Sequence, residues 1–99
     1  MTMTTRKNRY VSTENIVKRD IADEIILVPI RGKVADMQRI YALDPVADFI
    51  WERLDGRQSV GDIHAAVVRN FDVPAEQAYQ DLIEFIEEIM DANLVKEVT

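Results

Sequence analysis

Residues 39–56 read RIYALDPVADFIWERLDG, and the spacing of their apolar residues changes at Asp44-Pro45. The residues before this pair are typical of a strand. After it, apolar residues follow the spacing of one helix face, at Val46, Phe49, Ile50 and Leu54. Aspartate is a favoured N-cap, and proline is favoured at the first helical position. The stretch therefore predicts a strand that ends at Leu43 and a helix that follows it directly.

Three strands are predicted before this helix. Ile16–Ile21 alternates weakly between apolar and polar residues, and Glu24–Ile30 is apolar and rich in β-branched side chains. The third strand is predicted over Met37–Leu43. Residues 1–15 have many threonines and no apolar periodicity, so we expect a flexible N-terminal tail ahead of a single domain over residues 16–99.

Two more helices are predicted after the first one, for which Gly56 is the expected C-terminal cap. Ser59 and Asp62 have the spacing of a capping box at the start of the second helix. The third helix is predicted over residues 75–92, and Asn93 can take the left-handed conformation that closes it. Strands followed by helices predict an α+β fold, in which a three-stranded antiparallel sheet precedes a three-helix bundle.

Composition excludes several classes of function. The chain of 99 residues has no cysteine, one histidine (His64) and a net charge of −6. Thiolate chemistry and paired-histidine metal sites are therefore excluded, and neither a dinucleotide nor a P-loop motif is present. We expect no enzymatic activity and no cofactor. The longest apolar run, Ile25–Ile30, is too short to span a membrane, and no signal peptide is recognisable, so we expect a cytoplasmic protein that binds neither membrane nor nucleic acid.

The third helix has more apolar positions than one core stripe requires. One line, suited to the core, contains Leu82, Phe85, Ile86 and Ile89. A second line contains Tyr79, Ile83, Ile86 and Met90. A three-stranded sheet also has an edge strand, whose unpaired backbone groups can accept another chain. An open strand edge beside a wide apolar helix would suit an extended peptide.

The motifs of the chain, taken together, resemble those of the PqqD-like family. The resemblance covers about residues 16–95 and rests on the stretch quoted above, on Ser59-Val60-Gly61-Asp62-Ile63, and on Asn93-Leu94-Val95. This chain has Asp44 where the family pattern has Asn and Asn93 where it commonly has Gly. It also has Phe85-Ile86 in place of Phe-Leu. Each of these changes preserves a capping or packing role.

The resemblance implies a winged-helix-like fold that captures the leader of a precursor peptide between the third strand and the third helix. It also implies delivery of that peptide to a modifying enzyme, often a radical S-adenosylmethionine enzyme. By position, the implied peptide-binding residues are Met37, Gln38, Arg39, Ile40, Tyr41, Ala42, Leu43, Tyr79, Leu82, Ile83, Ile86 and Met90.

Two other functions stay open at the level of sequence. Winged helices also occur in DNA-binding regulators, although here the second helix has a single basic residue, Arg69, and the third helix has none. The other alternative is a general protein-interaction module, including a homodimer that forms through the same edge strand.

Overall fold

The computed structural model describes residues 5–13, 16–31, 34–35 and 40–98. Within these ranges the chain forms seven strands and three helices. In chain order they are β1 (Arg9–Ser12), β2 (Ile16–Ile21), β3 (Glu24–Arg31), β4 (Val34–Ala35), β5 (Tyr41–Leu43), α1 (Pro45–Glu52), β6 (Asp55–Ser59), α2 (Val60–Asn70), α3 (Ala75–Asp91) and β7 (Val95–Val98). The predicted α+β class, with an antiparallel sheet and three helices, is confirmed.

The predicted sheet has β3 at its centre. β2 and β3 form an antiparallel hairpin in which Ile16 pairs with Pro29 and Ile21 pairs with Glu24. Ala22 and Asp23 at its tip both have positive φ, as expected for a two-residue hairpin turn. β5 and the short β4 pair with β3 on the side away from β2. Of the third predicted strand, Tyr41–Leu43 forms β5 and Ile40 precedes it, whereas residues 37–39 lie outside the described residues.

The two faces of this sheet differ in what they contact. Leu27 pairs with Tyr41 across β3 and β5, and the neighbouring pair of the same face is Ile25 with Leu43. Leu27 and Leu43 belong to the main core, and Ile25 and Tyr41 pack against it. Because side chains alternate along a strand, Ile26 and Ala42 lie on the opposite face. The first face is therefore the one that meets the helices.

Side-chain caps begin the first two helices as predicted. The Asp44 carboxylate accepts a hydrogen bond of 2.7 Å from the backbone N–H of Ala47. Ser59 and Asp62 form a reciprocal capping box, with bonds of 3.1 and 3.0 Å. The prediction that Gly56 caps α1 is wrong, because the helix ends at Glu52 and its C-cap is Arg53. Gly56, with φ of 81°, lies instead in β6, where the register with β1 shifts.

A second sheet was not predicted. It has the strand order β6-β1-β7, and both pairings are antiparallel. The prediction of a flexible tail is therefore wrong for Arg9–Ser12, and the physical reason is burial of Tyr10, which has only 1% of its surface exposed. Just before this strand, the carbonyl oxygens of Arg6 and Asn8 accept hydrogen bonds from the first residues of α2.

One hydrophobic core joins both sheets to the helical bundle. It includes Tyr10 from β1, Leu27 from β3, Ile63 from α2 and Val95 from β7. α3 contributes Ala78, Leu82, Ile86 and Ile89, which recur at the spacing of one helix face. This packing fixes α3 relative to both sheets, and thereby fixes which of its flanks meets β5.

Candidate functional site

One side of β5 is without a strand partner in the described part of the chain. β5 pairs with β3 through three residues, and the described residues include no second strand beside it. None of the three residues of β5 is charged, and Ala42 is exposed. An uncharged strand with unpaired backbone groups can accept an added strand.

β2, at the other edge of this sheet, is chemically different. Lys18, Arg19 and Asp20 occur consecutively in it, and charged side chains are a common means of protecting an edge from pairing. Lys18 reaches across to α1, where it forms ion pairs with Asp48, at 2.6 Å, and with Glu52. These two carboxylates raise the pKa of Lys18. β5 is therefore the edge better suited to strand addition.

Tyr41 connects β5 to a particular flank of α3. Its ring lies 6.2 Å from the ring of Phe85, measured between centroids, and its hydroxyl donates a hydrogen bond to Glu88. Asp81, Phe85 and Glu88 are spaced at i, i+4 and i+7, so they share one flank of the helix, which we call the Phe85 flank. The space between β5 and this flank is the β5–α3 groove.

The chemistry of Tyr41 follows from its position in the groove. Partial burial, together with the hydrogen bond to Glu88, raises its pKa to about 12. The phenol therefore stays protonated at neutral pH and keeps donating to the carboxylate. The contact links β5 to α3.

A cavity of about 220 Å³ opens at the end of the groove, beside Asp44 and Phe85. Its apolar lining comes from all three helices and from the loop between α2 and α3. The lining residues are Val46, Ala47, Ile50, Val67, Val73, Ala78 and Phe85, together with Asp44 and Asp81. The cavity is smaller than typical pockets for drug-sized ligands, and its size suits an amino-acid side chain.

The α3 residues that were predicted from sequence to bind a peptide occur in two different environments. Leu82 and Ile86 are fully buried in the core, so they have no surface to offer a ligand. Tyr79, Ile83 and Met90 are partly buried and share the other flank of the helix, which we call the Tyr79 flank. Contacts with Tyr41 are made by the Phe85 flank, on the opposite side of the buried stripe.

The Tyr79 flank meets the N-terminal segment. The Arg6 guanidinium lies over the Tyr79 ring at 4.3 Å, and the His64 ring meets that ring edge-on at 5.2 Å. His64 Nε2 donates to the carbonyl oxygen of Ala75 at 2.7 Å, so Nδ1 of the neutral ring accepts from Arg6 at 3.1 Å. His64 is thus a packed, hydrogen-bonded side chain.

The β5 side of the predicted site is only partly described. Met37, Gln38 and Arg39 lie outside the described residues. Ile40 precedes β5 and is 44% exposed, Ala42 is exposed, and Leu43 is buried. The structure thus brings Tyr41 to the groove, beside Phe85, Glu88 and Asp81, which the sequence analysis did not include in the site. Ala42 lies on the opposite face of the sheet.

The described residues include no cluster suited to a metal ion and no membrane-length helix. Nowhere among them do three His, Cys, Asp or Glu side chains gather at a coordinating distance. None of the described helices has the length and apolarity that crossing a bilayer requires.

Comparison with known proteins gives three consistent likenesses. The family model for coenzyme PQQ synthesis protein D (PqqD) matches residues 24–95. A protein of Rhizobium meliloti (strain 1021), described as PqqA binding protein, is 28% identical over 81 residues, which cover 80% of this chain and 83% of that protein. The solved structure of TbiB1 in complex with the TbiA(beta) leader peptide has a TM-score of 0.69 and 21% identity, and covers 87% of this chain and 94% of TbiB1. The last likeness supports the fold.

Proposed function

The chain belongs to the PqqD family, and we propose that it binds the leader segment of a precursor peptide and presents the precursor to a modifying enzyme. The observation that carries this proposal is the side of β5 that has no strand partner among the described residues, next to the Phe85 flank of α3. The similar Rhizobium meliloti protein is named for binding PqqA, and the similar solved chain holds a leader peptide. Both likenesses support recognition of a peptide.

Binding would combine backbone pairing with apolar anchoring. An extended segment adds a strand to β5, and alternate side chains of that segment point into the β5–α3 groove. A segment of six residues spans about 20 Å, and the interface would be near the lower limit of specific complexes, at roughly 1,000 Å². We expect an affinity in the micromolar range, which suits a protein that must hand its ligand on.

The proposed role is non-catalytic and cytoplasmic. The groove offers one phenol and several carboxylates, and the pKa of Tyr41 is raised away from neutrality, which is the opposite of what a general acid or base needs. Chemistry on the peptide would belong to a partner enzyme, for which we propose a radical S-adenosylmethionine enzyme. The captured leader would keep the rest of the precursor at a high effective concentration near that partner.

An amide NMR titration of the isotope-labelled protein tests the proposal. The two probes are PqqA and the leader of a short peptide encoded beside the gene. We expect shift changes concentrated in residues 40–43 and 81–88 with at least one probe. Shift changes confined to the Tyr79 flank would reject the groove. No changes with either probe at millimolar concentration would reject leader binding, and sedimentation would then show whether a second copy occupies β5.

Two matched variants locate the binding surface on α3. Phe85 and Ile83 are both partly buried apolar residues of the same helix, two positions apart and on opposite flanks. Phe85→Ala should weaken peptide binding about tenfold or more, because burying an aromatic ring contributes about 1.5–3 kcal/mol. Ile83→Ala should change the affinity less than about twofold. Equal losses in both variants, with the fold intact by circular dichroism, would contradict the assignment of the groove.

A further inference from the structure

The cavity at the end of β5 has carboxylates among its lining residues. Asp44 and Asp81 are exposed and belong to an otherwise apolar lining. Asp44 accepts from the backbone of Ala47, and Asp81 accepts from the side-chain amide of Gln77 at 2.8 Å. Neither aspartate forms an ion pair with a described residue. Each therefore keeps its negative charge available to a ligand.

Of the three helices that line the cavity, α1 and α3 carry charges of one sign only, whereas α2 has one basic residue, Arg69, in its last turn. α3 has six acidic residues and no Lys or Arg, and α1 has Asp48 and Glu52 and no Lys or Arg. Among the described residues, two cations reach α1. Lys18 is paired with both of these carboxylates, and the Arg53 guanidinium lies over the Phe49 ring and donates to the Phe49 carbonyl oxygen. Neither cation belongs to the cavity lining. A cleft lined by one sign of charge concentrates ligands of the opposite sign.

The Phe85 flank places these charges along the peptide path. Asp81 and Glu88 lie on either side of Phe85 at the spacing of successive helical turns. A strand added to β5 would run beside this flank, with one side chain near the cavity. Side chains two residues apart lie on the same face of a strand, about 7 Å apart. The neighbouring side chain on that face would thus meet the rim of the cavity.

We propose that the cavity receives one apolar side chain of the bound peptide, and that Asp81, assisted by Asp44, selects a peptide with Lys or Arg within two residues of that anchor. This inference rests on the proposed peptide-binding function and names the class of peptide: a short extended segment in which an apolar residue adjoins a basic one. Exposed ion pairs at the rim of an interface mainly affect the association rate and its dependence on salt.

A yeast-displayed library of random twelve-residue peptides tests the proposal even while the natural leader is unidentified. The labelled full chain is used for sorting, and the enriched sequences are read. We expect the enriched peptides to share an apolar residue with Lys or Arg within two positions of it. Lys and Arg should be more frequent at those positions than elsewhere in the same peptides. Positional enrichment separates recognition at the cavity from general attraction to a chain of net charge −6.

Asp81→Asn and Glu87→Gln form the matched pair of variants. Both remove one exposed negative charge from α3, but Glu87 lies away from the Phe85 flank. Asp81→Asn should lower the affinity for a selected basic peptide by about fivefold, the upper range for an exposed ion pair, and should reduce its salt dependence. Glu87→Gln should leave both quantities within about twofold.

The outcomes separate this inference from the function on which it rests. Enriched peptides that need Phe85 but lack a positioned basic residue would overturn the charge selection and leave peptide binding intact. Equal effects of Asp81→Asn and Glu87→Gln would overturn it as well. A library that yields no binder, or only binders that are indifferent to Phe85→Ala, would overturn both proposals.

Discussion

Replacing Tyr10 with alanine tests whether the N-terminal strand is part of the folded core. Tyr10 is 1% exposed and belongs to the same core as residues of α2, α3 and β7. Truncating a buried aromatic side chain to alanine costs about 3–5 kcal/mol. A small domain has a total stability of about 5–15 kcal/mol, so Tyr10→Ala should remove a large share of it. The expected fall in Tm is at least about 12 °C, at about 4 °C or more per kcal/mol.

Urea unfolding measures this effect with two independent probes. Fluorescence of Trp51, the single tryptophan, reports on α1, and far-ultraviolet circular dichroism reports on the whole backbone. Coincident transitions would justify a two-state free energy of unfolding. The control is Arg9→Ala, because Arg9 is an exposed neighbour of Tyr10 in the same strand. The free energy of unfolding of this variant should stay within about 0.5 kcal/mol of the parent value. If Tyr10→Ala lowered the free energy of unfolding by less than about 1 kcal/mol, the packing of β1 against the core would be refuted. The prediction of a flexible N-terminal tail would then hold for these residues as well.

Three other substitutions test local features of the fold. Ser59→Ala removes one half of the capping box of α2 and should lower the free energy of unfolding by about 1 kcal/mol in urea titrations; an unchanged value would mean that the cap is not formed in solution. Gly56→Ala places a Cβ on a residue whose φ is 81°, 3.4 Å from Val98 Cγ2, so it should lower the free energy of unfolding by about 1–2 kcal/mol. A stabilised variant would contradict the left-handed conformation. The pKa of Tyr41 is raised from 10 to about 12 in the folded chain, so the phenol loses its proton at lower pH in the unfolded chain than in the folded one. The contribution of Tyr41 to the free energy of unfolding is therefore full below pH 10 and is lost as the pH rises toward 12. The stability difference between the parent and Tyr41→Phe should therefore shrink across that window, and a constant difference would exclude the linkage.

Local signals made much of the fold predictable. The Asp44-Pro45 pair and the box of Ser59 and Asp62 act on residues three positions away, so their effects can be read directly from the sequence. Asn93 has the left-handed φ of 62° expected where α3 ends. The same reasoning failed for Gly56, because its positive φ serves an irregular strand pairing and not a helix end.

The features that the sequence did not reveal depend on distant partners. β1 has only four residues, and its neighbours β6 and β7 begin more than forty and eighty residues later, so no short window contains the pairing. The contact of β5 with the Phe85 flank was not predicted for a different reason. Both flanks of α3 carry apolar residues, and periodicity cannot decide which of them faces β5. Phe85 looked like a core residue in the sequence, whereas its ring in the structure meets Tyr41.

The pairing of β1 with β7 has a consequence for the order in which the chain can fold during synthesis. Arg9 pairs with Val98, so the strand pairing of longest sequence separation among the described residues joins β1 to β7. At ribosomal rates of about 5–20 residues per second, roughly 4–17 s pass between synthesis of the two strands. Throughout this interval Tyr10 lacks its final neighbours in β7. We therefore expect the nascent chain to need protection from aggregation until β7 has been made and can pair with β1.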